Sequence, residues 1–537
     1  MNEENFDAII IGSGIGGLTS ASILAQLHGR RVLILERHFQ LGGFTHTFTR
    51  PGGYEWDVGL HYVGEVGPGS VPGAVFDLVT GGGVTWNRMP EAYDRLRFPG
   101  LAFDIPAGRA NLVQSLIANF PAEEVAIQRY FRDIDRAGRW LQRYFVSQSL
   151  TGGALWPLAK WARQPGAAHA LQTTAGYLER NIDNPNLRAV LAGQWGLYGL
   201  PPRQSAFVGH ALLAQHYMKG AYYPIGGAAT IADSVIPIVE SRGGAARARC
   251  AVEEILVENG RAVGVRAVEG TGSRRKEREF RAPCILSNAG ARLTYTKLLP
   301  AEVTGGMNDF MATLPKGTAN VTLYLGLKTD PRELGIEGEN YWLYSGLDHD
   351  AGYNRRNALL DGVVSQAYLS FPSAKNPAAK AHTAEVIAFL DMEPFTQWRD
   401  GKWKRRGEDY EALKERISGA LLDFVESHLS GFKAIIAYHE LSTPLTTEHF
   451  TAHPGGAIYG APMVPDKFHA RWLSPSTPVR GLFLTGSDAA SFGIVGAMMS
   501  GVLTAAVAVG KPWTVGATIA GAMKRAKRSR ASATGPG

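Results

Sequence analysis

Two cysteines in 537 residues, Cys250 and Cys284, leave little room for sulfur chemistry. Without a CxxC spacing they exclude a disulfide framework and a thiolate zinc site, and they fit a reducing compartment. No His, Cys, Asp or Glu cluster has ligand spacing, so no metal is expected. Charge is sparse at 19% and uneven: the formal +7 comes mostly from Lys524, Arg525, Lys527, Arg528 and Arg530. The rest is close to neutral, which argues against a nucleic-acid partner. Residues 522–537 show no apolar pattern and are expected to form a disordered basic tail, either solvated or drawn to an anionic membrane surface. The N-terminus, MNEENFDAIIIG, is acidic and lacks the form of a signal peptide. The expected location is cytoplasmic, with peripheral membrane contact. One uncharged run, residues 489–510, is long enough to span a bilayer. It is rich in Gly and Ala, follows Asp488, and has no basic flank until Lys511, so it reads as a buried helix packed on a cofactor.

What is present begins with a βαβ pattern. Residues 6–11 (FDAIII) are a short apolar run, GSGIGG follows, and an Ala/Leu-rich stretch leads to a second apolar run at 31–35. A hairpin is predicted around Pro99-Gly100 and helix over 107–143, with Pro121 opening a helix. Residues 145–161 are mostly apolar and aromatic, with basic flanks. They are a candidate interfacial anchor or a pocket wall. YYPIGG (222–227) turns into another helix. Asn259-Gly260 is a strong hairpin signal, so 245–288 reads as an antiparallel meander delivering a final apolar strand. The end, GLFLTGSDAASFGIVGAMMSG, reads as strand, turn and helix.

GSGIGG puts Gly12, Gly14 and Gly17 in a GxGxxG pattern, and Glu36 lies 22 residues after Gly14. Gly12 permits the tight turn, Gly14 lets backbone approach a pyrophosphate, and Gly17 lets helix and strand pack closely. The helix start offers free N–H groups to phosphate. Glu36 can accept hydrogen bonds from a ribose diol, and a 2′-phosphate would be repelled. These residues point to FAD or NAD and not NADP.

Glu36-Arg37, then Leu41-Gly42-Gly43, then GGYEWDVGLHYVG resemble the extended fingerprint of the flavin amine oxidase and phytoene desaturase superfamily. A basic residue often follows the glycine pair in that superfamily; Phe44 stands here. The resemblance extends through YYPIGG, CILSNAG and the C-terminal GSDAASFGIVGAMMSG. FTHTF beside the glycine pair, DVGLHYVG, the helix-like WRDGKWKRRGEDYEALK and STPLTTEHFTAHPGGAIYG are similar to the branch containing retinol saturase, carotenoid isomerase and bacterial carotenoid desaturases. The resemblance implies FAD as cofactor and a two-domain α/β flavoprotein of Rossmann-like, glutathione-reductase type, with a mixed α+β substrate domain. Residues 1–75, 220–295 and 475–521 would build the FAD domain, and 76–219 and 296–474 the substrate domain. Besides Gly12, Gly14, Gly17 and Glu36, the implied FAD contacts are Ile15, Arg37, Gly42, Gly43, Val252, Gly486, Asp488, Gly493 and Ile494. Asp488 would bond the ribityl or pyrophosphate region or cap the following helix, whose N–H groups would face the flavin.

The implied substrate is an apolar isoprenoid of carotenoid or retinoid type, and the reaction saturation, desaturation or isomerisation of a carbon–carbon bond. A proton partner would be needed beside the flavin. His61, Tyr62 and His46 are the first candidates, with His439, Glu440 and Tyr459 behind them. A single dinucleotide fingerprint leaves the electron donor or acceptor unknown. Two rival expectations remain: an amine oxidase or squalene-type dehydroxylase, and a flavoprotein that carries a lipid without turning it over.

Overall fold

The computed structural model describes residues 6–148 and 156–533. Its first layer is a fully parallel sheet in the order Ala245–Arg247, Val32–Leu35, Ala8–Ile11, Ile285–Ser287, Leu482–Leu484. The runs AIII and VLIL are buried at every position, as expected of parallel strands covered on both faces. The expected meander is therefore divided. Ala245–Arg247 belongs to the parallel sheet, and only Cys250–Glu258, Arg261–Glu269 and Lys276–Arg281 form an antiparallel sheet. Its first turn holds Asn259 and Gly260 at φ 50° and 71°, the left-handed pair that a two-residue hairpin requires.

The uncharged C-terminal run forms the helix Gly493–Ala508, which packs on Ile15–His28. Small residues make that contact possible. A Cβ on Gly16 would stand 2.5 Å from Gly486 Cα, and one on Gly501 2.6 Å from Gly16 O. Among the described residues, no helix is long and apolar enough to cross a membrane.

A second sheet of seven strands runs Ile436–Ser442, Asn320–Leu327, His382–Phe389, Gln366–Ser370, Asn340–Tyr344, Ala92–Phe98, Leu101–Pro106. Its neighbours are antiparallel except where Asn340–Tyr344 meets Ala92–Phe98. It thus joins a hairpin from near the start of the chain to five strands from its second half. The helix Arg109–Asn119 packs on the edge strand Leu101–Pro106, and Glu124–Gln148 packs on that helix and on Phe207–His216; the two are interrupted at Phe120-Pro121, where proline cannot donate an N–H. Of the candidate anchor at 145–161, residues 149–155 lie outside the described residues. Phe145–Gln148 end one helix, and Trp156–Arg163 form another.

The tail differs from expectation. Residues 522–533 continue a helix, Thr514–Ala533, which packs on Val71–Thr80. Ala522 and Ala526 are buried, with Val515, Ile519 and Met523 packed beside them. These five positions follow helical spacing. The stripe starts before Lys524, and beyond that residue only Ala526 continues it among the described residues, which hid it among the basic residues.

Candidate active site

The turn after Ala8–Ile11 makes a backbone cradle. Gly12 adopts φ 90°, and a Cβ on Gly14 would come within 2.8 Å of Asn288 Nδ2. Glu36 is buried at the end of Val32–Leu35. Its Oε2 accepts from Ser13 N at 2.9 Å and from Ser13 Oγ at 2.8 Å, and its Oε1 from His38 N at 2.8 Å. Ser13 Oγ also accepts from Gly42 N at 2.9 Å. One serine therefore links the glycine turn, the acidic residue and the glycine pair. Gly43 (φ 57°) lies against Gly14, where a Cβ would stand 2.8 Å from its Cα.

The cradle opens into a cavity of about 1820 Å³. Gly14, Ile15, Gly486, Asp488, Gly493 and Ile494 are on its wall. Gly12, Gly17, Glu36, Gly42 and Gly43 shape the turn behind that wall, and Arg37 and Val252 also lie off it. Val252 sits at an irregularity of the Cys250–Glu258 strand. The helix Gly493–Ala508 starts at Phe492 without a side-chain cap, so its first N–H groups are left for the cavity. Asp488 does not cap it. Its Oδ2 accepts from Ala291 N and its Oδ1 from Ala461 N, each at 2.6 Å.

Much of the rest of the wall is aromatic. Tyr62, Trp195, Tyr217, Trp342, Tyr368 and Tyr459 all face the cavity. Tyr62 stacks on Tyr217 at 4.5 Å and donates its hydroxyl to Asp94 at 2.6 Å. Burial holds that phenol well above its ordinary range, so Tyr62 is a fixed wall residue with its proton committed.

Behind this wall lies a buried charged cluster. Asp94 also accepts from Gln194, Asn340 and Trp342. Burial pushes its carboxyl up to about 6, against the pull of those donors. Asp57 accepts from Ala228 N at 2.7 Å and from the Tyr223 hydroxyl. Burial first, and then the nearby Glu385 carboxylate, push it up to about 7. Lys375 donates to Ser370 Oγ at 2.6 Å, His61 O at 2.7 Å and Asn340 Oδ1 at 3.0 Å. Burial lowers its ammonium to about 8, opposed by Glu385, Asp57 and Asp94.

Of the three first acid–base candidates, His61 and Tyr62 reach the cavity and His46 does not. His46 turns back to pair its Nδ1 with Gly43 O at 2.5 Å and packs its ring 4.6 Å from that of His38. His439 and Glu440 also point elsewhere, to Glu415 and Arg50. Asn288, His453 and the cluster of Asp94, Lys375 and Glu385 were not anticipated.

A family model of NAD(P)-binding Rossmann-like domains matches residues 10–77. The all-trans-retinol 13,14-reductase of Danio rerio is 33% identical over 531 residues, covering 93% of this chain and 85% of its own length. The chain belongs to the retinol 13,14-reductase family. The chloroplastic prolycopene isomerase of Arabidopsis thaliana is 24% identical over 515 residues, covering 94% of this chain and 82% of its own. Cyclohexylamine oxidase from Brevibacterium oxydans superposes with a TM-score of 0.59 at 19% identity, over 96% of this chain and 99% of its own. That likeness shows the shared two-domain fold.

The chain lies in the flavin amine oxidase and phytoene desaturase superfamily and is an FAD-dependent oxidoreductase. The residues present fit FAD. The turn is open where a Cβ would close it, an acidic residue ends the second strand, and an uncapped helix start borders the same cavity.

Proposed function

We propose that this chain acts on a carbon–carbon double bond of a long apolar polyene, of retinoid or carotenoid type. The observation that carries this reading is one continuous cavity. It borders the glycine turn, the helix start at Gly493 and an aromatic wall holding His61. Its volume exceeds the ~300–1,000 Å³ of an ordinary ligand pocket, which leaves room for an extended substrate beside part of the cofactor. Aromatic walls suit a substrate with few groups to hydrogen-bond, so rate would rest largely on shape and orientation.

Saturation adds a hydride to one alkene carbon and a proton to the other; desaturation reverses both. Bound FAD supplies the hydride chemistry. The proton falls to the protein, and His61 is the residue to which we assign it. Its ring lies on the cavity wall, with Nδ1 2.8 Å from Glu385 Oε2. Gly12, Gly14, Gly17, Glu36, Gly42, Gly43 and Asp488 are proposed to hold the cofactor. The test is anaerobic mixing of chemically reduced holoprotein with all-trans-retinol or lycopene. Return of the oxidised flavin spectrum on mixing supports a saturase. Oxidised holoprotein bleached by a more saturated polyene such as phytoene supports a desaturase. Flavin that responds to amines alone contradicts the reading.

An apolar substrate must reach this cavity from a lipid phase, and three exposed apolar side chains border it: Trp513 (75% exposed), Val146 (69%) and Val71. The helix beginning at Thr514 carries Lys524, Arg525, Lys527 and Arg528. We infer contact with an anionic bilayer surface, each basic residue contributing ~1 kcal/mol near it. Trp513→Ala is expected to reduce flotation with anionic liposomes. Unchanged flotation of that variant, or none by the wild type, would remove this inference.

A further inference from the structure

Among the described residues, Glu385 is a buried charged group with both carboxyl oxygens lacking a hydrogen-bond partner. It lies on His382–Phe389, between two other strands of the seven-stranded sheet. Its side chain is 0% exposed, and neither oxygen accepts an aligned hydrogen bond among the described residues. An isolated buried carboxylate costs far more than a paired one, so its surroundings must answer for it.

What faces it is specific. His61 Nδ1 stands 2.8 Å from Oε2. Lys375 and Asp57 act on the same region from the Pro372–Lys375 helix and the Tyr54–Asp57 strand. Tyr223, Tyr324 and Tyr368 also feel its charge. His61 is held twice over: its ring faces Glu385, and its backbone carbonyl receives the Lys375 ammonium at 2.7 Å. A carboxylate opposite one imidazole nitrogen fixes which nitrogen carries the proton and how the ring is turned. Nδ1 is the ring nitrogen nearest Glu385, at 2.8 Å but without an aligned hydrogen bond in this structure, so a small turn of the ring completes the pair and Nε2 is the nitrogen left for the cavity.

We propose that Glu385 is the positioning residue for His61: it holds the proton on Nδ1 and presents Nε2 to the substrate, while Lys375 fixes the loop that carries the ring. The proposal rests on the acid–base role given to His61 above, but its test separates the two. In either direction the transferred proton moves between Nε2 and a substrate carbon, and the Nδ1 proton stays facing Glu385. Glu385 touches neither the substrate nor the cofactor.

The experiment uses holoprotein labelled with ¹⁵N at histidine, in the wild type and in His61→Gln, Glu385→Gln and Glu385→Leu. The signal lost in His61→Gln identifies His61. The wild type should show Nδ1 bearing a proton that is slow to exchange. Glu385→Gln, which keeps an acceptor oxygen, should retain that signature, and Glu385→Leu should lose it. In turnover, Glu385→Leu should lower kcat about tenfold or more with KM nearly unchanged, and Glu385→Gln should recover part of it. Glu385→Leu takes away one of the three carboxylates that oppose the burial of Lys375, so some stability is lost; thermal unfolding measures the loss, and the ¹⁵N signature is read on protein that remains folded. A wild-type His61 signature in Glu385→Leu would overturn the proposal. Full activity of His61→Gln would overturn the role of His61 in turnover, while the ¹⁵N signature would still decide whether Glu385 orients the ring.

Discussion

Lys375→Met is expected to destabilise the protein by about 3–5 kcal/mol at pH 7, where the ammonium is still mostly charged, the range seen when one partner of a buried charged group is removed. The ammonium is buried, makes three hydrogen bonds, and feels the nearby carboxylates of Glu385, Asp57 and Asp94. Methionine fills similar space but leaves His61 O, Ser370 Oγ and Asn340 Oδ1 without that donor. The loss should be smaller at pH 5. Asp57 and Asp94 titrate near 7 and 6 in the folded protein, above the ordinary carboxyl range, so the folded state binds more protons than the unfolded state between about pH 4 and 7. These groups therefore withdraw stability as pH rises through that window. Without Lys375 the withdrawal is larger, because the carboxylates ionise against one another uncompensated. Urea denaturation at both pH values measures the difference. A loss below about 1 kcal/mol at pH 7, or one that grows toward pH 5, would contradict this account of the cluster.

Asp488→Ala should cost about 2–6 kcal/mol. Two backbone N–H groups, those of Ala291 and Ala461, lose their acceptor, each worth about 1–3 kcal/mol when left unpaired away from water. The residue joins the turn after Leu482–Leu484 to two other segments. Lys467 adds to the cost: it is buried, its amino group is lowered to about 8 by burial, and Asp488 is the charge that opposes this lowering. Asp488→Asn keeps one carbonyl-type oxygen and should lose roughly half as much. FAD affinity should fall in both variants, because Asp488 and its neighbours Gly486 and Ser487 line the cavity. Equal stability of wild type and Asp488→Ala would mean that water replaces the carboxylate, and the bracing role would be lost.

The cradle was legible in the sequence for a physical reason. Its requirements are local: Gly12 must adopt a positive φ, Gly14 and Gly17 must admit close neighbours, and Glu36 must end the next strand. Spacing alone records such demands. The charged cluster was not legible, because Asp57, Asp94, Lys375 and Glu385 come from four separated stretches and meet only when a two-stranded sheet and a short helix pack on the seven-stranded sheet. Glu385 in HTAEVIAF looks like an outward polar residue of an alternating strand, yet both faces of that strand are covered. His46 misled through proximity. It follows the glycine pair closely, but the short turn Gly43–Thr45 directs its ring toward His38. The C-terminal helix was hidden because its larger apolar residues, Val515, Ile519 and Met523, precede the basic run, within which only Ala526 continues the stripe. Asn288 carried a weak signal, since four glycines (Gly14, Gly16, Gly17 and Gly486) give it room, but only the folded chain shows that they share a neighbour.

The most direct test of the central claim is the mass of the product. Holoprotein, with its flavin reduced in one sample and oxidised in another, is incubated anaerobically with all-trans-retinol, phytoene and lycopene presented in liposomes. The account predicts a polyene changed at a carbon–carbon double bond. Two hydrogens gained with reduced flavin mean saturation, two lost with oxidised flavin mean desaturation, and an altered retention time at constant mass means isomerisation. Polyenes recovered unchanged from every sample, by a protein that retains FAD, would contradict it.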